Sequence, residues 1–173
     1  MQKITKKDWI TGSNNKIDFY KMLKIIKDHT LQGAKVFIGS DSFITQKKVC
    51  FASAICLYGP NTPGRYFFFR ESVPAKSFLA LVSRITEETR RSVEIGCLLM
   101  DEYGFNPQTI ELHLDVSPFS AGNATSKFSD MLKGYVQGYG FEYRLKPDAW
   151  ASQSIADKHS KWNGKKKAFT NIL

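Results

Sequence analysis

Apolar and polar positions change period twice along this chain, and the changes divide it into elements. From Asn15 to Gly33, Ile17, Phe19, Tyr20, Leu23, Ile25 and Ile26 recur at helical spacing, and Gly33 ends the pattern. The period then shortens. "KVFIGSD" is a short apolar run that predicts a buried strand, and "KKVCFASAICLYG" predicts a second, rich in Val, Ile, Tyr and Cys. After the turn "PNTPG", "RYFFFRES" predicts a third, and the three read as an antiparallel meander. Helical spacing returns over Pro74 to Gly104, with Pro74 near the start of a long helix and Gly104 past its end. "QTIELHLDVS" predicts a strand, "ATSKFSDMLKGYVQGYG" a helix closed by Gly140, "FEYRLKP" a strand and "ASQSIADKHSKW" a last helix. The order helix, β-β-β, α, β, α, β, α predicts an α/β fold. Its mixed five-stranded sheet has three antiparallel meander strands and then parallel strands. Helices lie on both faces, and one N-terminal helix is extra. The 173 residues suit one domain: a core over 34–162, the added helix over 15–32 and a basic tail over 163–173.

Composition narrows the function. No stretch reaches transmembrane length, and "MQKITKKDWITGSNN" lacks the apolar segment of a secretory leader, so a cytoplasmic protein is expected. Cys50, Cys56 and Cys97 sit in apolar runs without metal-ligand spacing and read as buried free thiols of a reducing compartment. The sequon at Asn123 carries no weight without a secretory route. A net charge of +9 favours a polyanionic partner, chiefly nucleic acid, over a basic protein without one. No phosphate-cradling or dinucleotide glycine motif is present, which disfavours nucleotide-cofactor enzymes.

Four carboxylates depart from this pattern. Asp41 follows Val36-Phe37-Ile38 inside a buried strand, where an unpartnered charge is expensive. On the long helix, at about 100° per residue, the apolar arc contains Phe78, Leu81, Val82, Ile85, Val93 and Leu99. Glu88 falls roughly 20° from Leu81 on that arc, while Glu87, Arg90 and Glu94 lie opposite. The bland alternative is a helix-edge glutamate that snorkels or pairs with Arg84 or Arg91. Asp115 ends the strand "IELHLDV", where ligands gather in α/β sheets, or is an ordinary turn aspartate. Asp157 lies on the last helix, where a carboxylate also gains from the dipole, and Asp148 in the preceding loop competes with it for any role. His113 shares a face with Asp115 and is either a supporting residue or a satisfied core histidine.

Together, "FIGSDS", "GRYFFFRES", "EETRRSVE", "IELHLDVSP" and "KPDAWASQSIADKHSK" resemble the ribonuclease H-like superfamily, most closely its YkuK-type branch of predicted RNase H-related nucleases. The resemblance implies a fold that places four acidic residues on these elements, at Asp41, Glu88, Asp115 and Asp157. It implies a nuclease that hydrolyses phosphodiester bonds of RNA, DNA or a hybrid with Mg²⁺ or Mn²⁺. In that reading Asp41 and Asp115 bridge or flank the metals, Glu88 holds one and Asp157 completes the other site. Crowded carboxylates would otherwise take up protons, and hard divalent ions remove the conflict while leaving room for phosphate oxygens. The alternative is a catalytically inactive nucleic-acid-binding module of the same fold. No histidine lies between the fifth strand and Asp157, where many RNase H enzymes carry one, and no basic protrusion is evident, so the resemblance stops short of hybrid specificity. Lys47, Lys48, Lys127, Lys158 and Lys161 follow the acidic positions in sequence and are candidates to hold backbone phosphates. Lys133 and the tail cations Lys165 to Lys167 share that pattern, the tail reading equally well as a solvated run.

Overall fold

β-Branched and aromatic residues dominate the first half of the chain, and they pair there into long strands. The computed structural model describes residues 2–118 and 125–161. In chain order its regular elements are α1 (Gln2–Thr5), β1 (Ile10–Thr11), α2 (Phe19–Leu31), β2 (Lys35–Ile44), β3 (Lys48–Gly59), β4 (Thr62–Pro74), α3 (Leu81–Cys97), β5 (Ile110–His113), α4 (Ser129–Gly138), β6 (Glu142–Arg144) and α5 (Asp157–Ser160). A π-helical turn, Ala151–Ala156, leads without a break into α5. The strands form one sheet in the order β1-β4-β3-β2-β5-β6. β2, β3 and β4 are the antiparallel meander, and β5 and β6 add to β2 in parallel.

Alternation along β2 sends its residues to two different layers. Val36 and Ile38 join Met22 and Ile26 of α2, Val93 and Ile95 of α3, and Leu132 and Val136 of α4 in the main core. Phe37, Gly39 and Asp41 point the other way, toward the last helix. Ala151 and Ala156 pack there on Ala54, Cys56 and Phe68. The approach is close: a Cβ on Gly39 would lie 2.5 Å from the Ser152 backbone nitrogen. Only glycine allows the helix to dock at this depth.

The α/β mixed sheet and the helices on both faces agree with the sequence reading, and several boundaries differ. A sixth strand, β1, pairs Ile10 with Phe68 at the sheet edge, too short to leave a period. α2 begins at Phe19 because the Asp18 side chain accepts from the backbone N–H groups of Tyr20 and Lys21. Pro74 ends β4 instead of starting a helix, since the β3–β4 ladder holds the backbone extended as far as Lys48 opposite Pro74. Phe78 accordingly lies before α3, with its ring 5.0 Å from that of Phe51, and Leu81 is exposed. β5 stops at His113, and just past it Leu114 N–H donates to the Arg144 carbonyl at the end of β6. Cys56 and Cys97 are buried and Cys50 is half-buried; all three are free. The sequon at Asn123 and the tail 163–173, with Lys165 to Lys167, lie outside the described residues. Among the described residues no helix is long and apolar enough to cross a membrane.

Candidate active site

Parallel pairing of β2 with β5 sets Gly39 opposite His113, and the same register carried two residues on brings Asp41 toward Asp115. Glu88 arrives from α3 across the main core face, and Asp157 from α5 across the other. Glu88 and Asp115 line one narrow crevice. The carboxylates act on one another: Asp115 and Asp157 both raise the pKa of Asp41, and Asp41 and Asp115 both raise that of Glu88. Burial is the larger cause in each case. It lifts Asp41 from its ordinary 3.8 to about 6 against the opposing hydrogen bond from Ser160, and it holds Glu88 well above the usual carboxylate range.

Each of the four also has a partner of its own. Ser160 Oγ donates to Asp41 Oδ2 at 2.6 Å, and Ser42 Oγ donates to Glu88 Oε1 at 2.6 Å. Lys146 Nζ lies 2.8 Å from Asp115 Oδ1, an ion pair lacking the alignment of a hydrogen bond. Lys161 pairs with Asp157 one helical turn earlier. Glu88 therefore takes neither arginine expected of a surface glutamate. Arg91 is committed to Glu71 and Glu87, and Arg84 donates to the Phe78 and Leu79 carbonyls. Asp157 sits in the middle of a continuous helical segment from Ala151 to Ser160, so the dipole explanation for it lapses.

The remaining sequence candidates are distributed around this group. Asp148 is exposed and acts on His113 and Arg144, whereas Asp157 acts on Asp41. His113 is fully enclosed. Its Nδ1 accepts from Ala151 N–H at 3.0 Å, which leaves the proton on Nε2, facing Glu111 Oε1 at 3.1 Å. Burial lowers its pKa, so the ring is a neutral clasp that ties the last helix to β5. Lys47, Lys48, Lys127 and Lys158 are exposed, Lys127 resting over the Phe128 ring. Lys133 pairs with Asp130. Lys161 stands among the carboxylates rather than outside them. Sequence reasoning missed Ser42, Ser160 and Lys146. Ser160 is 119 positions from the carboxylate it serves, and nothing in local spacing marks such a partner.

A match to the ribonuclease H-like family spans residues 19–161. The chain belongs to the ribonuclease H-like family. Comparison with curated proteins and with solved structures returned no match. Membership places this ribonuclease H-like chain among nuclease-like or nucleic-acid-binding modules, and the matched span contains all four carboxylates and every partner named for them.

The fold family implies divalent metal ions. Among the described residues no three acidic, histidine or cysteine side chains stand close enough to hold an ion as they are. The donor set nonetheless fits one in kind. It consists of hard carboxylate oxygens from four separate elements, two of them buried where charge without a cation is resisted by protonation. Closing it around an ion requires the lysine partners to yield, whereas each serine engages only one oxygen of its carboxylate.

Proposed function

We propose that this ribonuclease H-like protein is a metal-dependent nuclease that hydrolyses phosphodiester bonds of RNA, DNA or a hybrid, using Mg²⁺ or Mn²⁺. One observation carries the reading: four carboxylates from β2, α3, the end of β5 and α5 act on one another at one end of the sheet. A binding module has no need to keep such repulsion. Asp41 and Asp115 would hold the ions from adjacent strands, with Glu88 and Asp157 reaching in from opposite faces. Divalent ions bound there would supply Lewis acidity to activate water and stabilise the leaving oxygen. The chain's own work is to hold and orient. Ser160 and Ser42 fix Asp41 and Glu88, burial keeps competing water off them, and Glu88, held well above the usual carboxylate range, would give up its proton on binding an ion. Lys47, Lys48, Lys127 and Lys158 offer charge to backbone phosphates without reading sequence. The same reading takes residues 1–173 as one domain in the cytoplasm, where its free thiols stay reduced.

A second reading, an inactive nucleic-acid-binding module, is favoured by one fact: each carboxylate already has a private partner. A cleavage screen separates the two. Single-stranded RNA, single-stranded DNA, duplexes and a hybrid are incubated with Mg²⁺, Mn²⁺ or EDTA. The nuclease reading expects cutting of at least one substrate with metal and none with EDTA. Salt-sensitive binding without cutting in any condition supports the module instead.

A further inference from the structure

Two ammonium groups pair with members of the acidic group, one from the segment after β6 and one from the end of α5. Lys146 follows β6, and its backbone N–H donates to the Val116 carbonyl at 3.0 Å, which anchors its stem beside Asp115. Its Nζ is 2.8 Å from Asp115 Oδ1, an oxygen shut away from solvent that has no aligned hydrogen bond among the described residues. Lys161 is held on α5 by the turn that places it over Asp157. Its charge is also felt by Asp41 and Asp115. Both stems remain free to leave, with 36% of the Lys146 side chain and 53% of the Lys161 side chain exposed.

Surface ion pairs of this exposure are common, and most contribute little. These two differ in what they cover. Each occupies a carboxylate that the nuclease reading assigns to a metal. Resting on that reading, we infer that Lys146 and Lys161 are tethered stand-in cations. They neutralise the site in the metal-free protein, compete with the divalent ion for Asp115 and Asp157, and are released toward the rim when the ion binds. An ammonium is monovalent and ties up one carboxylate at a time, so a divalent ion displaces it at modest cost.

The test is Mn²⁺ affinity of the full chain, read by calorimetry and by the loss of the free-ion electron paramagnetic resonance signal, with no substrate present. Lys146→Met should bind Mn²⁺ about five- to tenfold more tightly than wild type, since one competing and repelling charge is gone. Lys161→Met should shift the same way by less, being the more exposed pair. Lys146→Arg, which keeps the charge, should stay close to wild type. Should Lys146→Met fail to fold, Lys146→Gln and Lys161→Met carry the comparison. Mn²⁺ bound by wild type with unchanged affinity in the folded lysine variants would overturn this inference and leave the nuclease reading standing. Absence of Mn²⁺ binding in wild type and every folded variant would overturn the metal site itself, and this inference with it.

Discussion

Asp41 holds its proton far longer than an ordinary aspartate, and that has a consequence for stability. In the unfolded chain it ionises near 3.8, in the folded metal-free protein near 6. Between those values the folded state binds more protons, so this group's contribution to stability falls as pH rises through the window and is constant above it. Asp41→Asn removes the penalty and keeps an oxygen to accept from Ser160 Oγ. Its metal-free unfolding free energy should match wild type near pH 4 and exceed it at pH 7.5 by on the order of 1–3 kcal/mol. Urea titrations at the two values check this, and an equal difference at both would contradict it. The inward placement of Glu88 was legible in the sequence because helical geometry fixes which side a residue faces. Its partner Ser42 was not, since that contact depends on how closely α3 approaches β2, which no periodicity encodes.

At the scale of elements, the short helical segment from Ala151 to Ser160 carries both Asp157 and the hydroxyl that steadies Asp41. Besides its packing on Ala54, Cys56 and Phe68, the bare Gly39 backbone and the His113 clasp seat it. Gly39→Ala would push a methyl group into the Ala151–Ser152 backbone, which cannot rotate away. It should destabilise by about 1–3 kcal/mol or more and weaken Mn²⁺ binding together with stability. Thermal unfolding and calorimetry on the same preparation test the pairing; a stable Gly39→Ala protein with intact Mn²⁺ affinity would show that the helix is seated otherwise. His113→Ala should act in the same direction by about 1–3 kcal/mol, because the Ala151 N–H and the Glu111 carboxylate each lose a buried partner. The sequence order of elements was enough to predict five of the six strands and their mixed pairing, since meander strands and α/β crossovers leave few topologies. Strand ends were not legible. Pro74 reads as a helix start in isolation, and only its pairing with Lys48 on the neighbouring strand holds it extended.

For the whole molecule, a charge of +9 surrounds a site built from negative groups. If exposed Lys127 and Lys158 hold phosphates, Lys→Met at either should flatten the dependence of log K on log salt by roughly one unit, whatever the oligonucleotide sequence. Fluorescence anisotropy across a salt series measures the slope. A slope unchanged in both variants would move the binding surface elsewhere. That surface was only partly legible: lysines are visible in a sequence, but their engagement is not. Lys161 reads as a rim cation until folding sets it on Asp157. On the proposed function, the carboxylate group catalyses cleavage and does not merely repel within a binding fold. The most direct measurement sets wild type beside Asp41→Asn, purified in parallel, on one oligonucleotide with Mn²⁺, recording binding and single-turnover cleavage together. The metal-site account predicts metal-dependent cutting by wild type, a rate lower on the order of a hundredfold or more in the variant, and binding kept or tightened as a negative charge is lost. Equal cleavage rates in the two proteins would contradict it.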